Sequence, residues 1–583
     1  MDTVSAAYAL TGRGPDETVT LHDGSAVFIS SRLTHWTAGA ATQPYVGPDG
    51  TTAVFNGELF NLEELAAGVG MAGGSEIAVL AEGIRTVGVD FLTRVDGQFA
   101  VVVRVGQDGP VYAARDRFGV CPLYVVREGD RTAVASNLAA LTALTGRDHP
   151  LSAAGLAGIV TDWAPTGGRT PYEGIHQVLP GHAVLLNAGD AAPVRWSAPP
   201  VDHDDRPSDL ADFETRLRDS VAIRMRSTTP IACLLSGGID STVIGGIAAE
   251  LGASTGIGLY LDGDDLVRDR QRQVADALQM SLIHHRLDPV ETVDLLAEYV
   301  ATRRIPLVRL GPVGMMSLAR RTRAEGIRGV LSGEGADELF AGYDSYRLIA
   351  ARAGMFGDPQ GLPWSDFGAP EFGIERGPRW ARAYWRGLIA LSPQAPTRRG
   401  DVMRPVFGLL RPPLIAALEQ AQAGDAADQT LVSRRQADID VLLGSYLLTV
   451  QGDHAWMEEG VELRPPYLGN PVADWALAQD PASFLSLADG KLPVRQLLAR
   501  LAVQRPALAG LGFAKAAFRV DSSFVLRSPE ASGRLRELMS RCPQELVDAV
   551  AVRERWDRCV GAGTCSEAES MLFLLTASLG VLA

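Results

Sequence analysis

A glycine-rich turn at residues 235–242, with the sequence LSGGIDST, has the composition of a phosphate-binding loop. A strand-like apolar run at 231–235 leads into it, and a helix-like run at 242–251 follows. Glycines let the backbone approach an anion, and the N–H groups at a helix start can cradle phosphates. Because no lysine follows the glycines, this is not a GxxxxGK[ST] loop. Hydroxyl donors and the Asp240 carboxylate, a candidate magnesium ligand, nevertheless favour a phosphate site over a plain glycine turn.

A second strand-like run leads into an acidic turn at residues 331–343, with the sequence LSGEGADELFAGY. Three carboxylates, those of Glu334, Asp337 and Glu338, fall close together in this turn. They repel one another unless a cation compensates, although a solvated acidic turn would also accommodate them. A magnesium ion shared by Asp240 and Asp337 would supply the compensating charge.

The elements that must position these loops change character along the chain. Residues 1–200 contain short apolar runs separated by Gly, Asp and Asn, which predicts a β-rich domain with a few helices. Residues 201–207 lie in a stretch rich in proline and aspartate and are the predicted linker. From 208 to 583, strands alternate with helices before a mainly helical end. This pattern predicts a parallel sheet whose ligand site lies at the carboxyl ends of its strands.

The composition limits the functions that the chain can have. At ~150 residues per domain, 583 residues predict about four domains or two large ones. The formal charge of −15 repels phosphate backbones, so we do not expect nucleic acid as a partner. Five cysteines without a CxxC pair support neither a disulfide framework nor a zinc site. We expect a cytoplasmic protein without membrane contact, because the N-terminus lacks signal-peptide character and no apolar run reaches ~18 residues.

Together the two loops resemble the synthetase domain of the asparagine synthetase B family, which carries SGG[IL]DS and SGEG[AS]DE in this order. Residues 55–61 (FNGELFN) are similar to the family's FNGEIYN, and residues 115–124 are similar to its RDxxG…PLY. Further matches follow downstream at 451–466, Gly490-Lys491 and 515–524.

This resemblance covers nearly the whole chain and implies an α/β fold of two domains. Residues 1–200 would form an Ntn-hydrolase-like αββα sandwich of the class II glutamine amidotransferase type. Residues 208–583 would form a PP-loop ATP-pyrophosphatase domain with a parallel sheet and a helical C-terminal part.

The reaction that the resemblance implies has two steps and uses ATP and Mg²⁺. The carboxylate of a small acid or a peptide attacks the α-phosphorus of ATP, which gives an acyl-adenylate and pyrophosphate. Ammonia or an amine then displaces AMP and forms an amide. Asp240 and Asp337 would bind the magnesium ion. The nucleotide contacts carried over from the family are Leu235, Ser236, Gly237, Gly238, Asp240, Ser241, Thr242, Ile257, Ser332 and Gly333.

Lys515, Glu334 and Glu338 are the predicted catalytic residues. Lys515 lies at the family's catalytic-lysine position, and Lys491 is the only other lysine among 54 basic residues. A compact ammonium is not interchangeable with a guanidinium where charge develops on phosphates, which disfavours a generic surface role for Lys515. By the resemblance, Glu334 assists adenylate formation and Glu338 contacts the substrate.

The N-terminal domain departs from the family at its nucleophile. The family hydrolyses glutamine with a cysteine directly after the initiator methionine, where this chain has Asp2, and the first cysteine is Cys121. Gly74 stands in place of an aspartate of the glutamine pocket. Hydrolysis of an amide needs an activated nucleophile, and Thr3 or Ser5 could serve only after unusual processing, so we expect an inactive glutaminase. The pocket residues that persist are Arg32, Asn56, Gly57 and Glu58.

Three functions therefore remain open. The first is an asparagine-synthetase-like ligase that uses ammonia or another amine. The second is an intramolecular amide former, as in β-lactam synthetases and lasso-peptide-type macrolactam cyclases, which tend to depart further from FNGEIYN and SGEGADE. The third is a non-catalytic nucleotide-binding scaffold, against which the intact Asp240, Asp337, Glu334 and Lys515 argue. The sequence identifies neither the acid nor the amine, and a homodimer is one expectation for the oligomeric state.

Overall fold

The computed structural model describes residues 2–34, 42–187, 192–197, 209–357, 399–423, 430–511, 520 and 522–583. The predicted linker at 201–207 and the predicted catalytic Lys515 lie outside the described residues. The boundaries of the predicted domains therefore stay predictions.

The N-terminal region is built on antiparallel strands. Its largest sheet has the order β11-β10-β6-β5-β4-β3, a second has the order β8-β7-β9, and β1 and β2 form a hairpin. The strands are β1 (Glu17–Asp23), β2 (Ala26–Arg32), β3 (Tyr45–Val46), β4 (Thr52–Leu59), β5 (Gly97–Arg104), β6 (Val111–Arg115), β7 (Tyr124–Glu128), β8 (Arg131–Ala135), β9 (Ile175–Gln177), β10 (His182–Leu185) and β11 (Val194–Arg195). The helices are α1 (Thr3–Leu10), α2 (Leu62–Gly68), α3 (Glu76–Val87), α4 (Leu138–Thr145) and α5 (Ala153–Asp162), with a 3₁₀ helix at Val89–Arg94.

The pairing of β4 with β5 positions the FNGE motif. The two strands run antiparallel along their whole length, with Asn56 opposite Ala100 and Glu58 opposite Gln98. Helix α3 begins where Ser75 caps it by accepting a hydrogen bond from the N–H of Ala78. The apolar residues of α3 pack into the same buried cluster as β5, which holds this helix against the sheet.

The second region contains a five-stranded sheet with the order β14-β13-β12-β15-β16, in which every pair is parallel. Its strands are β12 (Ile231–Leu234), β13 (Thr255–Leu261), β14 (Ser281–Leu287), β15 (Gly329–Leu331) and β16 (Glu462–Arg464). The intervening helices are α6 (Leu210–Arg224), α7 (Ile239–Glu250), α8 (Asp265–Leu278), α9 (Pro289–Arg303), α10 (Gly311–Ala324), α11 (Ala336–Leu339) and α12 (Asp344–Arg352). The predicted fold class is confirmed: the chain is α/β, and its N-terminal region is followed by a parallel-sheet region with helices and a mainly helical C-terminal part.

The remaining described chain is mostly helical. Its helices are α13 (Pro412–Ala423), α14 (Leu431–Ala437), α15 (His454–Trp456), α16 (Asn470–Leu477), α17 (Leu492–Gln504), α18 (Pro506–Ala509), α19 (Ser522–Val525), α20 (Pro529–Ser540), α21 (Ala549–Ala562) and α22 (Glu567–Leu582). Short 3₁₀ helices lie at Arg399–Leu409, Met457–Glu459, Pro466–Leu468 and Pro481–Phe484, and Asp438–Asp453 is a π-helix. None of the helices in the described part of the chain has the length and apolarity that crossing a membrane requires.

Buried polar contacts join the two regions. The guanidinium of Arg13 donates to both carboxylate oxygens of Asp453, at 2.5 and 2.8 Å. Arg115 donates to the hydroxyl of Thr449 at 2.6 Å. Both Asp453 and Thr449 belong to the π-helix. Because buried polar groups must be satisfied, these contacts fix the N-terminal region against the sheet-bearing region.

Candidate functional site

The glycine-rich loop leaves the carboxyl end of β12, the central strand of the parallel sheet. Leu235 is buried, and its N–H donates to the carbonyl of Ile257 on β13 at 2.8 Å. Gly237 has a φ of +81°, and a Cβ there would lie 2.6 Å from Cγ of Arg270, so only glycine fits. Helix α7 starts directly after Gly238 without a capping side chain among the described residues. Its first N–H groups are thus available to an anion.

The hydroxyls of this loop hold the turn itself. The hydroxyls of Ser236 and Ser241 lie 2.9 Å apart, and the hydroxyl of Thr242 donates to the carbonyl of Gly238 at 2.7 Å. Ser241 and Thr242 are also buried. The structure therefore shows these hydroxyls stabilising the loop, while their predicted contacts to a nucleotide stay predictions.

The acidic loop follows β15, which pairs with β12, so the two loops meet at one edge of the sheet. Ser332 is buried, and its N–H donates to the carbonyl of Arg464 on β16 at 3.0 Å. A Cβ on Gly333 would lie 3.0 Å from Cβ of Asp240 and 3.0 Å from the nitrogen of Ser241. The glycine thus permits the close approach that brings the acidic loop against the start of α7.

Lys491 bridges the two predicted metal ligands. Its Nζ lies 2.7 Å from Oδ2 of Asp240 and 3.0 Å from Oδ1 of Asp337. The lysine side chain is 5% exposed. Sequence reasoning assigned Lys491 no role, although its being one of two lysines and its place in the Gly490-Lys491 match could have pointed to it. The structure thus reveals a basic residue at the carboxylates in addition to the predicted Lys515.

Two glycines leave room for this arrangement. A Cβ on Gly342 would lie 2.1 Å from Oδ1 of Asp337 and 2.8 Å from Cε of Lys491. A Cβ on Gly490 would lie 2.3 Å from the carbonyl oxygen of Ala341. The lysine is therefore closely enclosed, and a larger basic group would not fit without movement of its surroundings.

The donor set at these carboxylates fits a magnesium ion that also binds phosphates. One cation already contacts both Asp240 and Asp337, so the two carboxylates lie close enough to share a divalent ion. Within the described ranges, no group of three or more acidic, histidine or cysteine side chains is arranged to hold a metal. Mg²⁺ commonly uses one or two carboxylates together with substrate phosphates rather than a complete protein cage.

The two remaining predicted acids lie beside the metal ligands. Burial, with the charges of Asp337 and Asp240, raises the pKa of Glu334 to about 7. Burial and the charge of Asp337 also raise the pKa of Glu338 well above its ordinary value. The hydroxyl of Tyr343 donates to Oε1 of Glu338, whereas Oε2 of Glu338 has no hydrogen-bond partner among the residues described. Glu334 and Glu338 can therefore carry protons near neutral pH.

A second site lies between the two regions, in a cavity of about 140 Å³. Asn56, Gly57 and Glu58 of β4 line it, together with Ser75 and Glu76 at the start of α3. The synthetase-side lining comes from residues such as Leu448, Asp453, Met457, Glu462, Leu463 and Pro465. The motif residues that the sequence analysis retained for a glutamine pocket thus meet at one cavity.

Cys121 is the cysteine that lines this cavity. It is 5% exposed, and its N–H donates to the carboxylate of Asp116 at 3.0 Å. Burial and the charges of Asp116 and Asp453 raise the pKa of its thiol well above its ordinary value. A thiol held in its neutral form is a poor nucleophile.

The N-terminal helix lies apart from the cavity lining. Asp2 caps α1 by accepting a hydrogen bond from the N–H of Ser5 at 3.0 Å, and its own N–H donates to the carbonyl of Ala143 at 3.4 Å. Neither Asp2 nor Thr3 nor Ser5 is among the residues that line the cavity.

The parallel sheet, the glycine-rich loop on its central strand and the paired carboxylates have the arrangement of a PP-loop synthetase domain, here joined to an antiparallel α/β region. Residues 212–577 match the family model of asparagine synthase, and residues 2–197 match that of the glutamine amidotransferase domain. The chain therefore belongs to the asparagine synthase family. It is accordingly an ATP-dependent carbon–nitrogen ligase.

Individual relatives are distant. The chain is 29% identical over 504 residues to a putative glutamine-hydrolyzing asparagine synthetase of Mycobacterium tuberculosis H37Rv, covering 80% of this chain and 76% of that one. It is 28% identical over 346 residues to the amidase chyE of Penicillium rubens, covering 53% and 50%. A solved glutamine phosphoribosylpyrophosphate amidotransferase from B. subtilis matches with a TM-score of 0.25 and 13% identity, covering 49% of this chain and 79% of that one. This last likeness is too slight to carry an argument.

Proposed function

We propose that the protein activates a carboxylic acid as an acyl-adenylate, releases pyrophosphate, and transfers the acyl group to ammonia or an amine without hydrolysing glutamine. The observation that carries the proposal is the pair of strand-end loops, which places Asp240 and Asp337 on one cation beside the start of α7. Magnesium would bind at these two carboxylates and neutralise charge on the phosphates.

The residues of this site have separate tasks in the proposed reaction. The N–H groups at the start of α7 hold the leaving pyrophosphate, since the helix start lacks a capping side chain in the described structure. Lys491 compensates the charges of Asp240 and Asp337, and a magnesium ion at these two carboxylates would supply that compensation in its place. Lys515 and Lys491 both stabilise negative charge during adenylate formation.

Glu334 is the acid–base group of the proposed amide-forming step. A carboxyl with a pKa of about 7 is partly ionised at neutral pH, and its carboxylate form can accept the proton that ammonia or an amine loses as it attacks the acyl-adenylate. Glu338 stays protonated and positions the acyl substrate through Oε2, while Tyr343 holds its other oxygen.

The proposed absence of glutaminase activity rests on the interdomain cavity. The thiol of Cys121 has a raised pKa, and the backbone N–H of Cys121 donates to the carboxylate of Asp116. Cys121 therefore does not supply a thiolate. Thr3 and Ser5 belong to α1, and neither residue lines the cavity. The amine must therefore come from another source, such as free ammonia or an amine substrate.

An ATP–pyrophosphate exchange assay across a panel of carboxylic acids tests the proposal. Exchange with one class of acid, followed by AMP release and amide formation when ammonia or an amine is added, is the expected result. Glutamate release from glutamine would contradict the missing glutaminase. A product without added nitrogen would identify an intramolecular amide former, and no exchange with any acid would identify a nucleotide-binding scaffold.

A further inference from the structure

The interdomain cavity has an excess of buried carboxylates over basic groups. Glu58 is 6% exposed, Glu462 is 8% exposed, and Arg464 contacts both. Arg464 also donates to the carbonyls of Arg224 and Arg226, at 2.8 Å each. These four contacts hold the arginine in place next to Glu58 and Glu462.

Glu76 is a further carboxylate at this cavity. Its Oε1 accepts the N–H of Leu59 at 2.6 Å, and no basic side chain pairs with it in the described part of the chain. Burial raises the pKa of Glu76 to about 7, with the charge of Glu462 adding to the effect. An acid whose pKa is raised to about 7 keeps its proton below that pH unless a cation takes its place.

A neutral acceptor at the same cavity provides the second observation. Gln98 is 3% exposed, and its Nε2 donates to Glu462 at 2.5 Å. Oε1 of Gln98, in contrast, has no hydrogen-bond partner among the described residues. A buried amide oxygen without a donor costs free energy, which a ligand with N–H groups would recover. The cavity thus offers acceptors of both kinds, charged and neutral.

The size and the rest of the lining limit the ligand further. A cavity of about 140 Å³ is roomier than one ammonium ion needs. Its apolar wall includes Phe55, Ile77, Leu448, Met457 and Pro465. An amino acid would bring a carboxylate into this acidic space, and the guanidinium of Arg32 at its wall already pairs with Glu17 at 3.0 Å.

We propose that this cavity binds a small primary ammonium cation, R–NH₃⁺, with its N–H groups on Glu76 and Gln98 and its apolar part against the cavity wall. The inference rests on the proposed function in one respect, since such a cation would be the amine for the ligase reaction. Binding itself involves no covalent change and requires neither ATP nor an acid. It can therefore be measured separately from catalysis.

Isothermal titration calorimetry on the full chain, without nucleotide, tests the proposal. The titrants are the chlorides of n-butylammonium, ammonium, tetramethylammonium and sodium. We expect saturable binding of n-butylammonium, weaker binding of ammonium, and none of tetramethylammonium, which lacks N–H donors. Tighter binding of ammonium than of n-butylammonium would overturn the part of the proposal that concerns the apolar wall. Equal binding of tetramethylammonium, or no binding of any primary ammonium, would overturn the proposal altogether.

Glu76→Gln removes the charge but keeps the shape, and it should weaken n-butylammonium binding at least 10-fold. Glu82→Gln is the matched control, because Glu82 lies on the same helix outside the cavity lining and pairs with Arg85. It should change the affinity less than 2-fold. If Glu76→Gln does not fold, Gln98→Met removes the second acceptor with little change in volume and should also weaken binding. Unchanged affinity in whichever of these variants folds would overturn the proposal.

The outcomes separate this inference from the proposed function. Saturable n-butylammonium binding without any ATP–pyrophosphate exchange would leave the cation site standing and refute the ligase reaction. Exchange and amide formation without n-butylammonium binding would refute the cation site alone.

Discussion

The glycine-rich loop (235–242) and the acidic loop (331–343), here called the nucleotide loops, resemble the interdomain cavity in one respect. Both regions bring carboxylates into contact with one basic side chain. At the nucleotide loops, Lys491 contacts Asp240 and Asp337. Beside the cavity, Arg464 contacts Glu58 and Glu462. Lys491 reaches its carboxylates on a flexible stem, whereas Arg464 is also fixed by two backbone carbonyls.

The two basic side chains differ in how easily they can be displaced. An ammonium on a four-carbon stem can leave its carboxylates when a divalent ion arrives, whereas a guanidinium held on several sides cannot. In the proposed function, the glycine-rich and acidic loops would therefore exchange the lysine ammonium for a metal ion. Arg464 stays with Glu58 and Glu462, whereas the proton that Glu76 carries near neutral pH can be exchanged at the cavity.

Asp337→Asn should have the largest effect, and it tests whether the carboxylates of the nucleotide loops bind a metal ion. Loss of one of two shared metal ligands should lower ATP–pyrophosphate exchange by about 1000-fold, since a bound metal contributes several kcal/mol of charge stabilisation. Asp269→Asn, at a half-exposed surface ion pair with Arg268, is the control and should retain the exchange rate. Full exchange by Asp337→Asn at ordinary magnesium concentrations would contradict the metal assignment.

Arg464→Met tests the fixed cation of the cavity. Its removal leaves Glu58 and Glu462 buried without their arginine, so the free energy of unfolding should fall by about 3–4 kcal/mol. Urea denaturation at neutral pH measures this change. Arg536→Met at the exposed pair with Asp557 should cost less than about 1 kcal/mol. A loss of similar size in both variants would show that the carboxylates around Arg464 do not depend on it.

Lys491→Arg asks whether the lysine of the nucleotide loops must be compact. Gly342 lies directly against the lysine stem, so a guanidinium requires its surroundings to move; exchange should fall about 30-fold and thermal stability should fall as well. Lys491→Met, measured beside it, should fall at least as far and should gain more stability from added Mg²⁺, which would then relieve the repulsion between Asp240 and Asp337. An ATP–pyrophosphate exchange rate equal to that of the wild type in Lys491→Arg would show that the site requires only a positive charge at this position, not a compact one.

Glu76→Gln should have the smallest effect of the four substitutions. We expect it to change how the free energy of unfolding depends on pH. The pKa of Glu76 is raised from its ordinary 4.5 to about 7. Between these values the folded state keeps a proton that the unfolded state has lost, so stability falls as pH rises through this window. The substitution should reduce that fall by up to about 2 kcal/mol. Chemical denaturation at pH 5 and pH 7.5, with Glu82→Gln as control, measures the difference, and an unchanged slope would show that the Glu76 pKa is not raised.

Local patterns were sufficient for the elements that carry the nucleotide loops. The apolar run at 231–235, the glycines after it and the apolar run at 242–251 correspond to β12, its loop and α7, because strand and helix signals act over a few residues. The same reasoning found β15 and the acidic turn. Strand signals at 97–105, 110–114 and 123–127 correspond to β5, β6 and β7.

Contacts between distant segments could not be predicted in this way. The sequence places Lys491 about 250 residues after Asp240, and nothing local shows that its Nζ lies 2.7 Å from that carboxylate. The cavity likewise combines β4, α3 and a segment after the π-helix. The 16-residue π-helix itself was not anticipated, since it depends on packing rather than on periodicity.

Residue types at short spacing were sufficient to predict the fold class, the two loops and the carboxylates within them. The tertiary structure alone decided which cation those carboxylates share, since a lysine and two aspartates from three elements meet only when the sheet and its helices have packed. It also decided that Glu76 lies half-buried at the cavity without a salt bridge among the described residues. Burial and long-range charge set its pKa, and neither exists in the unfolded chain.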